Sequence, residues 1–125
     1  MTPGEVEHFC LCMPGSALRA TEGRGRAFAV SSRTFAVLTP AGALEFRCTA
    51  AASRLLRARS GVAPASGPDD DAGSWVGLPG GVDTIEAEEL LDYLRLAYGL
   101  AVAGLPERER EPLVQALRQA PPAWQ

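Results

Sequence analysis

Arg26-Ala27-Phe28-Ala29-Val30, Arg33-Thr34-Phe35-Ala36-Val37-Leu38 and Ala43-Leu44-Glu45-Phe46-Arg47-Cys48 are three short apolar runs, parted only by Ser31-Ser32 and by Thr39-Pro40-Ala41-Gly42. Runs of this length, rich in Phe, Val and Leu and punctuated by short turn sequences, specify a meander of antiparallel strands. Alternation predicts that Phe28, Val30, Phe35, Val37, Leu44, Phe46 and Cys48 share the inner face. Ala27, Ala29, Thr34, Ala36, Leu38, Ala43, Glu45 and Arg47 then share the outer one, small and weakly polar, free to meet water or a partner.

Upstream, Thr2-Pro3-Gly4-Glu5 reads as a helix start with a capping box, and the helix should run to about Met13, stopped by Pro14-Gly15. Val6, Phe9, Cys10 and Met13 fall on its core side. A first strand is expected at Ser16 to Ala20. Downstream, Thr49 to Ser60 reads as a second helix with Ala52, Leu55 and Leu56 as its buried edge and Arg54, Arg57 and Arg59 outside. Gly61 to Gly73 has the composition of an irregular loop, and Ser74 to Leu78 that of a last strand. From Asp83 the spacing of Ala87, Leu90, Leu91, Leu94, Ala97, Tyr98, Ala101 and Leu105 predicts a long amphipathic helix. Glu111-Pro112 is placed to start a short final helix reaching Gln119, before a frayed tail that includes Trp124. The expected fold class is α+β, one domain with an antiparallel sheet of about five strands against helices, divided into a main unit at 1–108 and a helix and tail at 109–125.

A chain of 125 residues has room for one packed core. Its 46% hydrophobic and 22% charged content is that of a globular domain, and no run approaches the length of a membrane span. The opening Met1-Thr2-Pro3-Gly4-Glu5-Val6-Glu7 has no basic segment ahead of an apolar one, so the expected compartment is the cytoplasm. Cys10, Cys12 and Cys48 are odd in number and sit in regular elements, so they are expected as reduced thiols. Charge is uneven: residues 1–60 hold eight Arg and four acids, whereas residues 61–125 hold four Arg and eleven acids. A basic and an acidic face would bear on partners rather than on fold.

No complete catalytic set is present. His8 is the only histidine, and with Cys12 one helical turn away it forms half a metal site at most. The expected reading is a surface histidine beside a packed cysteine. Asp69-Asp70-Asp71 lacks the alternating ligands of a calcium loop and reads as a solvated acidic stretch. Glu86 and Glu89 lie on a helix surface where nothing would raise one carboxyl, so they are expected as polar face. Gly23-Arg24-Gly25-Arg26 lacks the strand and helix of a phosphate-binding loop and reads as a turn into the meander. With Arg33, Arg47, Arg54 and Arg57 it makes up a set of arginines suited to phosphate contacts. No cofactor and no metal is expected.

Phe9-Cys10-Leu11-Cys12-Met13-Pro14-Gly15, the hairpin from Ala27 to Leu38, Leu44-Glu45-Phe46-Arg47-Cys48, Trp75 on the late strand and the stretch from Leu94 to Pro106 together resemble the MmcQ/YjbR family, over about residues 5 to 108. The resemblance implies a YjbR/frataxin-like α+β domain of the YjbR/CyaY-like superfamily, in which the family carries a label of double-wing DNA binding. Arg33 and Arg47 stand where that family usually shows a basic side chain. Ala29 stands where it tends to have one, and three aspartates precede Trp75. The resulting expectation is a small non-enzymatic protein that contacts DNA through Arg24, Arg26, Arg33, Arg47, Arg54 and Arg57. A protein-interaction module, or a frataxin-like acidic metal binder through Asp69 to Asp71, are the alternatives.

Overall fold

Two tight connections set the sheet. Val30 pairs with Arg33, so Ser31-Ser32 is a two-residue hairpin turn, with Ser31 in the left-handed region at φ 53. That turn is tethered on both sides, because Arg19 Nη2 donates to the Ser31 carbonyl at 2.7 Å and Ser31 Oγ donates to Glu109 Oε1 at 3.2 Å. Farther on, Thr39 N donates to the Ala43 carbonyl at 2.9 Å and closes the next turn. The computed structural model describes residues 1–21, 23, 25–65 and 74–119.

In chain order the elements are α1 (Pro3–Leu11), β1 (Ser16–Thr21), β2 (Gly25–Val30), β3 (Arg33–Leu38), β4 (Leu44–Cys48), α2 (Ala50–Arg57), β5 (Ala63–Ala65), β6 (Ser74–Leu78), a 3₁₀ turn (Val82–Thr84), α3 (Ala87–Ala103) and α4 (Glu107–Gln119). The strands form one antiparallel sheet in the order β1-β2-β3-β4-β6-β5. The α+β class is therefore as expected, with six strands among the described residues rather than about five. The added strand, β5, lies inside the stretch expected as loop. It is three residues long and contains Pro64, a residue a sheet accepts at an edge, where no ladder N–H is required of it.

All the helices that reach the sheet pack on one face of it. α1 lies over β1 and β2, α3 over β2, β3 and β4, and α2 over β5 and β6. Between them Val6, Cys10, Phe28, Phe35, Phe46, Leu44, Val76, Leu90, Leu94 and Ala101 are wholly buried. Tyr98 ties the layers together: its ring meets Phe35 edge-on at 5.6 Å, and its hydroxyl donates to the carbonyl of Pro14 where α1 gives way to β1.

The meander departs from strict alternation at one residue. β2 and β3 pair as Phe28 with Ala36 and then as Ala29 with Thr34, so Phe35 is an extra residue on β3. A bulge of this kind reverses the side-chain parity beyond it. Phe35 keeps its place in the main core, Ala36 and Leu38 join it, and Val37 turns to the opposite face. That face is not the open one expected: Trp75 packs there on Ala27 and Val37, and Ala27, Ala29, Thr34 and Arg47 are all buried.

α4 begins four residues ahead of the expected Glu111 start. The Pro106 carbonyl accepts from Glu109 N and Arg110 N, both at 2.9 Å, so the first turn is formed before Pro112 is reached. Leu113 and Leu117, one turn apart, lay this helix against the core.

Candidate interaction surface

α2 is built by its ends. Thr49 caps it by accepting from Ala52 N at 3.1 Å, and its carbonyl takes the first helical bond from Ser53 N at 2.8 Å. Eight residues give two turns, enough for one narrow buried stripe, which Ser53 and Leu56 occupy with Ala52 half-buried beside them. Leu55, expected on that stripe, instead points outward and is 72% exposed, because it sits about 100° round the helix from Leu56. Arg54 and Arg57 flank it; Arg57 Nε donates back to the Ser53 carbonyl at 3.3 Å, which fixes its root. α2 carries no acid. Just beyond its end, Arg59 reaches across to Glu89 on α3.

The other arginines of the expected set are dispersed. Arg24 lies outside the described residues, as do Asp69, Asp70, Asp71 and Trp124. Arg26 sits over the opposite half of the sheet from α2 and forms a 2.6 Å ion pair with Glu7 of α1. Arg33 runs along the C-terminal end of α3, so close that a Cβ on Gly104 would stand 2.5 Å from its guanidinium carbon. Arg47 is 2% exposed. Its Nε and Nη2 both donate to the Thr34 carbonyl, at 3.1 and 2.8 Å, beside the bulge where β3–β4 pairing ends at Ala36. Its guanidinium also stacks 5.0 Å from the Trp75 ring centre. Arg33 and Arg47 do meet, with Thr49 and Ser74, around a cavity of about 290 Å³ at the start of α2. The structure thus brings together two pairs, Arg54 with Arg57 outside and Arg33 with Arg47 inside, and separates Arg26 from both.

No family model matches this chain, and no curated protein matches it. A solved structure does. The crystal structure of Deinococcus radiodurans protein DR2400, a DUF419 domain, is similar to it with a TM-score of 0.75 at 24% identity, over 90% of this chain and 88% of that one. At that identity the likeness is one of fold. What the likeness supports is the α+β architecture, an antiparallel sheet packed against helices in a single domain.

The thiols separate into two kinds. Cys10 and Cys48 are buried, and desolvation pushes the Cys10 thiol up to about 12 and the Cys48 thiol upward as well. Cys12, expected as packed, is exposed at the C-terminal cap of α1, with its Sγ 3.5 Å from His8 Nε2. Among the described residues no three His, Cys, Asp or Glu side chains come together as metal ligands would. No helix among them is long and apolar enough to cross a membrane.

Two features of this surface were out of reach of pattern reading. The outward turn of Leu55 depends on which of two adjacent leucines the short helix lays down, and Leu55 and Leu56 are equal in composition. The burial of Arg47 follows from the Phe35 bulge. Its one sequence sign is the Val37-Leu38 pair, where the small-large alternation of the run breaks.

Proposed function

We propose that this protein is a small, non-enzymatic interaction domain that presents the outer face of α2 to an acidic, amphipathic segment of another protein. The observation that carries this reading is Leu55, 72% exposed between Arg54 and Arg57 on a helix that lacks any acid. A single exposed leucine is ordinary on a protein surface. One framed by two cations on a rigid helix offers an apolar anchor with charge on either side, which is what an acidic peptide with a hydrophobic residue fits. The patch is small, so the contact is transient, of the class that buries less than about 1,200 Å².

DNA binding through the arginine set is the weaker reading for this geometry. Duplex binding with useful affinity draws on roughly 6–10 phosphate contacts. Here Arg54 and Arg57 share one surface, Arg26 is ion-paired over the far half of the sheet, and Arg47 is enclosed. About two phosphate contacts would leave a shallow salt slope and little affinity, and a net charge of -3 does not add to it.

The two readings separate in one titration. A fluorescent acidic amphipathic peptide and a labelled duplex are each titrated with the protein and with its Leu55→Asp variant, at low and at physiological salt. The expected result is peptide binding weakened at least about tenfold by Leu55→Asp, with thermal stability unchanged because the side chain is exposed. Salt-steep binding of the duplex, indifferent to Leu55→Asp, would reverse the order of the two readings.

A further inference from the structure

Beside α1 lies an open groove of about 470 Å³ whose walls include Met1, Phe9 and Leu91 and whose polar side carries Glu5, His8 and Cys12. Among the described residues Cys12 is the one exposed thiol, and it faces the groove with the chain's only histidine in hydrogen-bonding contact. A thiol reacts as its thiolate, and a thiolate forms readily when an acceptor for its proton is already in place. α1 positions the two side chains: residues four apart on a helix lie one above the other, so the pairing needs no loop and little ordering. The competing thiols are withdrawn, since Cys10 and Cys48 are buried.

We propose that Cys12 is a site of thiol–disulfide exchange, taking up the sulfur half of a small aliphatic disulfide in the groove against Phe9 and Leu91, with His8 as its proton acceptor. In the step, the Cys12 thiol passes its proton to His8 Nε2 and the thiolate attacks one sulfur of the disulfide. The new Cys12–sulfur bond forms as the old sulfur–sulfur bond breaks, and the departing thiolate takes the proton back from His8. One disulfide is consumed and one is made, so no outside oxidant enters. The product is a protein carrying a small thiol on α1, a reversible mark on a face separate from α2.

The size of the effect is bounded. His8 assists only the removal of the thiol proton, and roughly fivefold in rate is the effect expected of that contact. The test uses cystamine with acid quenching and intact-mass readout, on the whole chain at pH 7. Expected is incorporation of one half-cystamine, located at Cys12 by peptide mapping, and abolished in Cys12→Ser. His8→Gln should slow it roughly fivefold. As a measure independent of any variant, the folded protein should modify faster than any single thiol of the same chain unfolded in urea, where the His8 contact is gone. Labelling spread over Cys10 and Cys48 in the folded protein, an unchanged rate in His8→Gln, or a folded rate no faster than the unfolded one would each overturn the proposal.

Discussion

Gly25 and Arg47 show how much of this sheet hangs on single side chains. Gly25 opens β2 at φ 95, and a Cβ there would stand 2.1 Å from the Leu38 carbonyl, a backbone atom that cannot move aside. Gly25→Ala is therefore expected to destabilise by about 3 kcal/mol, more than an ordinary loss of glycine freedom, as read from the urea midpoint. By sequence, Arg47 belongs to the arginines suited to phosphate contacts. In the fold its Nε and Nη2 donate to the Thr34 carbonyl and its cation rests on Trp75. Arg47→Met keeps the aliphatic stem and removes both services, so about 2–3 kcal/mol of stability should go. Any duplex affinity should be unaltered once the protein is held below its melting temperature. A variant as stable as the parent would mean that the guanidinium is not what supports the bulge.

At the scale of elements, legibility followed the strength of the periodic signal. α3 was readable because seven apolar positions keep helical spacing, and each of Leu90, Leu94, Ala97, Tyr98 and Ala101 is buried as that spacing requires. The three strands of the meander were readable for the same reason at period two. β5 was not, since Ala63-Pro64-Ala65 carries no strand propensity and is paired only because β6 offers an open edge. The sequence does not show which face Val37 takes, because a bulge is an event of pairing, and the two strands must be aligned before the extra residue is visible. The start of α4 is hidden because Pro112 suits a first turn, yet Leu113 and Leu117 favour the longer helix. Caps, by contrast, are local: the capping box expected at Thr2 forms, and Thr49, where the second helix is expected to begin, caps α2. Thr49→Ala should lower stability by about 1 kcal/mol. Because the cap also orients α2, peptide binding through Leu55 should weaken in parallel. If binding held while stability fell, the outer face of α2 would not be the contact.

For the molecule as a whole, the sequence halves differ in charge, but folding stitches them: Arg59 of the first half pairs with Glu89 of the second. Surface pairs of this kind contribute little to stability and are screened by salt, so the pH response of the fold is governed by its buried groups. Two stand out, both at the junction of α1 and α3 with the sheet. Burial raises the Cys10 thiol from 9.0 to about 12 and the Tyr98 phenol from 10.0 to about 12. Each is an acid whose neutral form the folded state prefers. Its stabilisation is therefore complete below the unfolded value and is lost as pH climbs through the folded one. Nothing from these two groups changes between pH 6 and about pH 9; above that, each proton released on unfolding removes about 1.4 kcal/mol per pH unit. The urea midpoint should stay level to about pH 9 and fall steeply toward pH 11. Ionised Tyr98 also loses the hydrogen that it donates to Pro14, which couples the alkaline transition to the α1–β1 junction. Tyr98→Phe separates the contributions: at pH 7 it should lose about 1 kcal/mol with the hydrogen bond, while its decline between pH 10 and 11 should be shallower than the parent's. Cys10→Ala should flatten the earlier part, from pH 9. An alkaline limb identical in parent and Tyr98→Phe would assign the transition to other groups, since a buried phenol that titrates in place cannot be deleted without trace.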